Sequence, residues 1–248
     1  MKQKSIKFLS AFLSFLMVFS VLASIPFTAS AAESSLPNGM TKVSDVEQTL
    51  APGITQNEVV FYDENNKKQR MFLLTADLSV DTVSVESSYY NDQGEVWGLQ
   101  KLTDQVAAAE ANHAGENYKV VAGINGSFFN TSTGQPGGAF AINGKVYCSD
   151  SAGNGQPFFA ILNDGTAVIE KAGQWLNYKD RVAEACQGYQ MIVWEGKNQL
   201  TYDPNSTAQD QKVYPRTCIG LTADGNVVAI QVDASYGNYG LSLYHAAQ

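Results

Sequence analysis

Four short segments hold the side chains whose types and spacing suit chemistry. The first is Val120-Val121-Ala122-Gly123-Ile124-Asn125-Gly126-Ser127-Phe128-Phe129-Asn130. An apolar run expected as a buried strand enters a polar asparagine, with Gly123 and Gly126 beside it and two aromatics behind it. Glycine lets backbone approach a ligand closely. An asparagine amide donates and accepts, which suits sugar hydroxyls. An ordinary turn with a capping asparagine reads the same way. The second, Gly134-Gln135-Pro136-Gly137-Gly138, is a rigid turn leading into a strand. In the third, Arg216 opens the apolar strand Thr217-Cys218-Ile219-Gly220. There it serves either as a sheet-edge ion pair or as a fork that grips phosphate bidentately. In the fourth, Asp233 closes the apolar strand Val228–Val232, as a cap for the next loop or as a site acid.

Other chemistries lack their residues. There is no phosphate-binding P-loop, dinucleotide fingerprint, HExxH or GxSxG pattern. The two histidines, His113 and His245, fall in helical contexts, which disfavours a Ser-His-Asp triad. Cys148, Cys186 and Cys218 form no CxxC, so zinc-site spacing is missing and neither metal nor cofactor is expected. The thiols read as small buried apolar groups, with a Cys148–Cys186 disulfide as the alternative.

The elements that must position these segments are mostly strands. Val59–Tyr62 and Arg70–Leu74 flank polar Asp63–Gln69 as a hairpin, and Thr82–Glu86 alternates with period two. Three more hairpins turn at Asn143-Gly144, Asp164-Gly165 and Asp224-Gly225, pairs favoured in type I′ turns. Glu195-Gly196 is a weaker fourth. Leu99, Leu102, Val106 and Ala107 recur at helical spacing, with His113 at the helix end. The expected class is α+β: a twisted, antiparallel-rich sheet of hairpins with a few packed helices.

The chain opens as a secretory signal. Lys2, Lys4 and Lys7 precede an apolar stretch from Phe8 to about Val21, and Ala29-Ser30-Ala31 supplies a cleavage site after Ala31. The apolar core is shorter than the ~20 residues a membrane span needs. Residues 32–57 read as a linker or N-terminal arm, and 58–248 as one domain. Losing three lysines with the signal takes the net charge from −8 to −11. So acidic a protein has no broad footprint for nucleic acid, and an anionic substrate needs a local cation.

In order and spacing, several pieces resemble the phosphodiester glycosidase family. They are Ala122–Phe129, Gly134–Gly137 with Ile142–Lys145, Gly188–Gly196, Pro215–Gly220, Asp224-Gly225, Val232-Asp233 and Gly240–Leu243. The resemblance spans roughly residues 80–248 and implies hydrolysis of sugar-1-phosphodiesters. On that basis Arg216 would hold the phosphate and Asp233 would activate water or attack the anomeric carbon. Asn125, Gly126, Asn130 and Gly137 would bind substrate, and Phe128 and Phe129 would wall the pocket. Three departures stand out. Asn130 replaces an acid, Ala234-Ser235 replace Gly-Arg, and a glycine-rich loop that the family carries after the last helix is not in this sequence. The domain is therefore expected to be C-terminally truncated, with Gly240–Gln248 as the opening of a helix. The implied partner is an envelope or extracellular glycopolymer bearing phosphodiester-linked sugars. The competing reading is a non-catalytic glycan-binding module.

Overall fold

The structure is a computed structural model that describes residues 36, 39–92, 96–148, 156–203, 205–235 and 237–248. The signal segment and its cleavage site lie outside the described residues. Strands dominate and helices are few, as the α+β expectation requires.

The first sheet has the order β1-β2-β3-β12-β11, antiparallel throughout. Its strands are β1 (Thr41–Ala51), β2 (Ile54–Tyr62), β3 (Lys68–Ala76), β11 (Arg216–Leu221) and β12 (Val227–Asp233). The second sheet is also antiparallel, with order β5-β4-β8-β6-β7. It comprises β4 (Phe140–Ile142), β5 (Lys145–Cys148), β6 (Phe158–Leu162), β7 (Ala167–Glu170) and β8 (Val182–Gln187). A small hairpin pairs β9 (Val193–Trp194) with β10 (Lys197–Asn198).

Residues 41–57 are not a linker. They form β1 and the start of β2, joined at a tight turn where Gly53 has φ 77°. The sequence hides β1 because it buries no face: Val43 and Val46 are 59% and 61% exposed. Its shape comes from pairing with β2, and two register shifts further blur its alternation.

Two expected strands are also absent among the described residues. Thr82–Glu86 keeps its period-two pattern, and Val83 and Val85 pack into an apolar cluster with Phe159 and Val227, but no ladder forms. Residues 120–124 likewise carry no strand, and Ala122 and Gly123 are exposed. The Val120 N–H donates to the Glu110 carboxylate at 3.2 Å rather than to a neighbouring strand. An apolar run sets a tendency to be buried; a strand needs a partner backbone.

Helix α1 (Leu102–Asn112) starts three residues after Leu99, which is 55% exposed. Its inner face is Leu102, Val106 and Ala109, and His113 is its C-cap, as expected. The other helices are single turns, α2 (Trp175–Tyr178) and α3 (Leu243–Ala246). Ser242 caps α3 by accepting from His245 N. No helix among the described residues is long and apolar enough to cross a membrane.

The predicted hairpins form, but their turns sort differently. Asn143-Gly144 and Glu195-Gly196 both have positive φ at each position, as type I′ demands. In the two Asp-Gly turns only Gly165 and Gly225 are positive. There Leu162 N–H reaches Thr166 O and Thr222 N–H reaches Asn226 O, so each loop is longer by a residue or more.

The core lies on both faces of the second sheet. Phe158, Ala160, Leu162, Val182 and Ala185 pack around buried Trp175. The opposite face, with Phe159, Ile161, Ile169 and Cys186, meets Ala76, Ile219, Leu221 and Val227 of the first sheet. The first sheet's other face buries Val59, Phe61 and Val232 under Leu241. The cysteines are free. Cys148 and Cys186 each pair with Phe140, on its two sides. Two strand spacings, about 10 Å, separate them, too far for a disulfide.

Candidate functional site

The asparagine-rich and glycine-rich segments fold into one loop. Phe129 bridges Pro136, Gly137 N–H donates to Phe128 O at 2.7 Å, and Asn130 N–H donates to Gln135 O at 2.9 Å. The loop is anchored to the end of β8, where Gln187 N–H donates to Ser127 Oγ at 2.9 Å. Gly126 sits over Cys186 with room for a Cβ at 3.8 Å. The structure therefore brings Asn125, Gly126, Phe128, Phe129, Asn130 and Gly137 together, as the sequence reading grouped them. Asn125, Phe128 and Phe129 are exposed. The Asn130 carbonyl oxygen is taken by the Ser132 and Thr133 N–H groups, so that end of its amide builds the turn.

Gly138 is held there by its surroundings. At φ 84° a Cβ would stand 1.2 Å from Gln187 Oε1. That oxygen accepts from Ala139 N at 3.2 Å. Gln187 thus clamps both the approach to β4 and the Asn125–Gly137 loop.

The two residues expected to work on the bond are not brought together. Arg216 pairs with Val232 across the ladder, while Asp233 pairs with Arg70. Successive strand residues face opposite ways, so the two side chains leave opposite faces of the sheet. Arg216 donates from Nε to Leu241 O at 3.1 Å and from a terminal nitrogen to the carbonyls of Gln209, at 3.0 Å, and Lys212. Its guanidinium also lies over the Tyr214 ring. Burial lowers its pKa from the usual arginine value, and it remains a cation. The arginine ties the 209–212 loop and Leu241 to the mouth of β11, where the fork expected to hold phosphate is engaged by backbone.

Asp233 is a more open group. Its carboxylate accepts from Ser235 N at 2.8 Å, Ser235 Oγ at 2.6 Å and Asn238 Nδ2 at 3.2 Å. Arg70 Nη1 stands 3.9 Å away. The Ser235 hydroxyl, then its backbone N–H, Asn238 and Arg70, hold the pKa below the usual aspartate value. The residue is an anion at neutral pH and unsuited to donate a proton.

Two features escaped the sequence reading. Arg70, across from Asp233, bonds Glu58 Oε1 through Nε at 2.8 Å and stacks over Phe72. Nothing local in Gln69-Arg70-Met71 signals this; the pairing is set by the ladder. Glu184 is 6% exposed and accepts from Asn143 N at 2.8 Å and Ser87 N at 2.9 Å. Burial outweighs those bonds, and with the nearby Glu86 charge pushes its carboxyl up to about 6. Glu184 and Glu86 line a cleft of about 320 Å³ with Asn143, Asn163, Val83 and Val85. Its signal was visible as an acid inside the small, apolar run Val182-Ala183-Glu184-Ala185-Cys186.

Comparison with known proteins gives the family and the fold. No curated protein is similar to the chain in sequence. Among solved structures, a hypothetical protein from Synechocystis superposes with a TM-score of 0.59 at 11% identity, covering 83% of this chain and 55% of that one. This chain thus spans little more than half of that protein's length. The zebrafish N-acetylglucosamine-1-phosphodiester alpha-N-acetylglucosaminidase catalytic domain, auto-inhibited by its pro-peptide, superposes with a TM-score of 0.56 at 18% identity. It covers 83% of this chain and 71% of that one. At these identities the likeness is one of fold. The phosphodiester glycosidase family pattern matches residues 118–248, more than half of the chain, and takes in the whole asparagine–glycine loop, Arg216 and Asp233. The chain belongs to the phosphodiester glycosidase family.

Proposed function

We propose that the protein is an exported hydrolase that cuts the bond between a sugar's anomeric carbon and a phosphate oxygen in envelope or extracellular glycans. The observation that carries this is Asp233: a carboxylate kept ionised by three hydrogen bonds and Arg70, at the end of a strand within the family region. Water and the phosphodiester give a free sugar and a phosphate monoester. The monoester is a good leaving group, so little general-acid help is needed, and a poised anion is the group the chemistry requires. Asn125 offers its amide to sugar hydroxyls, and Phe128 and Phe129 flank the ring. The signal-like N-terminus supports export.

One observation favours a second reading, a glycan-binding module without turnover: Arg216 commits Nε and one of its two terminal nitrogens to backbone carbonyls. A single comparison separates the two. With the methyl phosphodiester of N-acetylglucosamine 1-phosphate as substrate, the wild-type protein releases sugar. Asp233→Asn slows release about 10²- to 10⁴-fold, the usual scale for a lost base. Binding without release by the wild type would establish the module instead.

A further inference from the structure

The cleft beside Glu184 shares no lining residue with the loop that gathers Asn125 to Gly137, nor with Arg216 or Asp233. It opens where the turns after β4 and β6 meet residues 83–86. Gly144 N–H donates to Ala183 O at 2.8 Å and Asn163 N–H to Arg181 O at 2.9 Å, so both turns are tied to the β8 end of the sheet. The apolar part of the lining includes Val83, Val85 and Ile161, which belong to the cluster packed between the two sheets. The polar part includes Glu184, Glu86, Asn143 and Asn163. Both carboxylates are held in place. Glu184 takes one backbone N–H on each oxygen, from Asn143 and from Ser87. Glu86 accepts from Ser84 Oγ at 2.6 Å and from the Tyr118 hydroxyl at 3.0 Å. Among the described residues, no lysine, arginine or histidine lines the cleft.

A carboxylate can accept about four hydrogen bonds, and Glu184 receives one on each oxygen. A buried charge is costly unless a partner of opposite sign stands beside it. Glu184 is 6% exposed, and among the described residues no cationic side chain pairs with it. The charged neighbour that acts on it, Glu86, has the same sign. The fold thus builds a buried acid and leaves out its complement. We propose that this cleft binds a small organic ammonium, with the charged nitrogen on Glu184 and Glu86 and the apolar body against Val83, Val85 and Ile161. An ammonium brings several N–H donors, enough to serve both carboxylates. Asn143 and Asn163 offer amides to a further polar group. The cleft's volume, about 320 Å³, is at the lower end for small-molecule sites and suits a single ring on a short amine arm. A bare divalent cation such as Ca²⁺ fits less well, because it takes about six to eight oxygens and gains nothing from apolar walls. An anion or an uncharged sugar would leave Glu184 as unpaired as before. The site does not depend on the hydrolase reading.

The test is an NMR titration of ¹⁵N-labelled protein, read at the Ser87 and Asn143 amides that bond Glu184. Phenethylamine is expected to shift both resonances saturably. Phenethyl alcohol, its uncharged analogue, should bind about tenfold more weakly or worse. Hydrocinnamate and Ca²⁺ should leave both amides where they are. Glu184→Gln keeps the shape and removes the charge. Glu86→Gln does the same at an exposed position, where the fold does not depend on it. Each should raise the Kd for phenethylamine about tenfold. If Glu184→Gln does not fold, Glu86→Gln decides alone. The absence of a saturable shift with millimolar phenethylamine overturns the site. So does equal affinity for phenethyl alcohol, or an unchanged Kd in either folded variant. Tighter binding of Ca²⁺ at the same amides also overturns it, because the occupant is then a metal ion.

Discussion

Removing the Arg216 guanidinium separates a structural arginine from a phosphate-binding one. In the structure it makes one half-buried bond to Leu241 O and two exposed ones, to the carbonyls of Gln209 and Lys212. Hydrogen bonds from a charged donor are worth about 1.5–3 kcal/mol when sheltered and less at the surface, where water replaces the donor. Taking about 1.5 kcal/mol for the first and about 0.75 kcal/mol for each of the others, Arg216→Ala costs about 3 kcal/mol. At roughly 2–4 °C per kcal/mol for a domain of this size, Tm falls by about 6–12 °C. Arg216→Lys recovers only part, because an ammonium has neither the reach nor the planar spread to meet three carbonyls. The assay is thermal unfolding by circular dichroism, with amide hydrogen exchange to show whether 209–215 and 241 open together. A variant that melts within a degree of wild type yet binds phosphodiester far more weakly would refute this reasoning. It would make the arginine a ligand-binding group despite its backbone partners.

Glu184 gives a pH signature. Its carboxyl is raised from 4.5 to about 6 in the fold, so the native state holds the proton more tightly than the unfolded chain does. Stability from this group is greatest below pH 4.5 and is lost as pH rises through 6, by about 2 kcal/mol. Glu184→Gln should flatten that part of the Tm–pH curve, and an unchanged slope in the variant would remove Glu184 as its source. Gly138→Ala drives a Cβ into Gln187 Oε1, so the Gln187 amide must turn away and give up its bond to Ala139 N, and it should lower Tm more than Gly144→Ala, which has a similar positive φ but open space around it. Similar losses of about 1 kcal/mol at both sites would show that the Gln187 clamp carries no weight. Denatured, unreduced protein should titrate three thiols; a count of one would mean that a disulfide had formed.

The sequence exposed what depends on neighbours in the chain and hid what depends on neighbours in space. The Asn143-Gly144 hairpin and α1 were legible because turn chemistry and helical spacing are local. The loop that gathers Asn125 to Gly137 was legible as a group for the same reason: glycine, proline and asparagine in close succession force the chain back on itself. β1 was missed because its strand character resides in β2, and residues 120–124 were over-read because apolar composition says nothing about a partner. The pairing of Arg216 with Asp233 as one site failed on parity alone. Both residues are at strand ends, but a register that sets Arg216 against Val232 turns Asp233 to the other face. Glu184 was passed over although it stands as an acid in an apolar strand, because its hydrogen-bond partners, Ser87 and Asn143, lie far along the chain.

The most direct test of the central claim is the position of cleavage. Hydrolysis of methyl N-acetylglucosamine 1-phosphodiester in ¹⁸O-labelled water distinguishes attack at carbon from attack at phosphorus. If Asp233 acts at the anomeric centre, mass spectrometry finds the label in the released sugar and none in methyl phosphate. Label in the methyl phosphate would contradict the account, since the bond broken would then be P–O and the chemistry that of a phosphodiesterase.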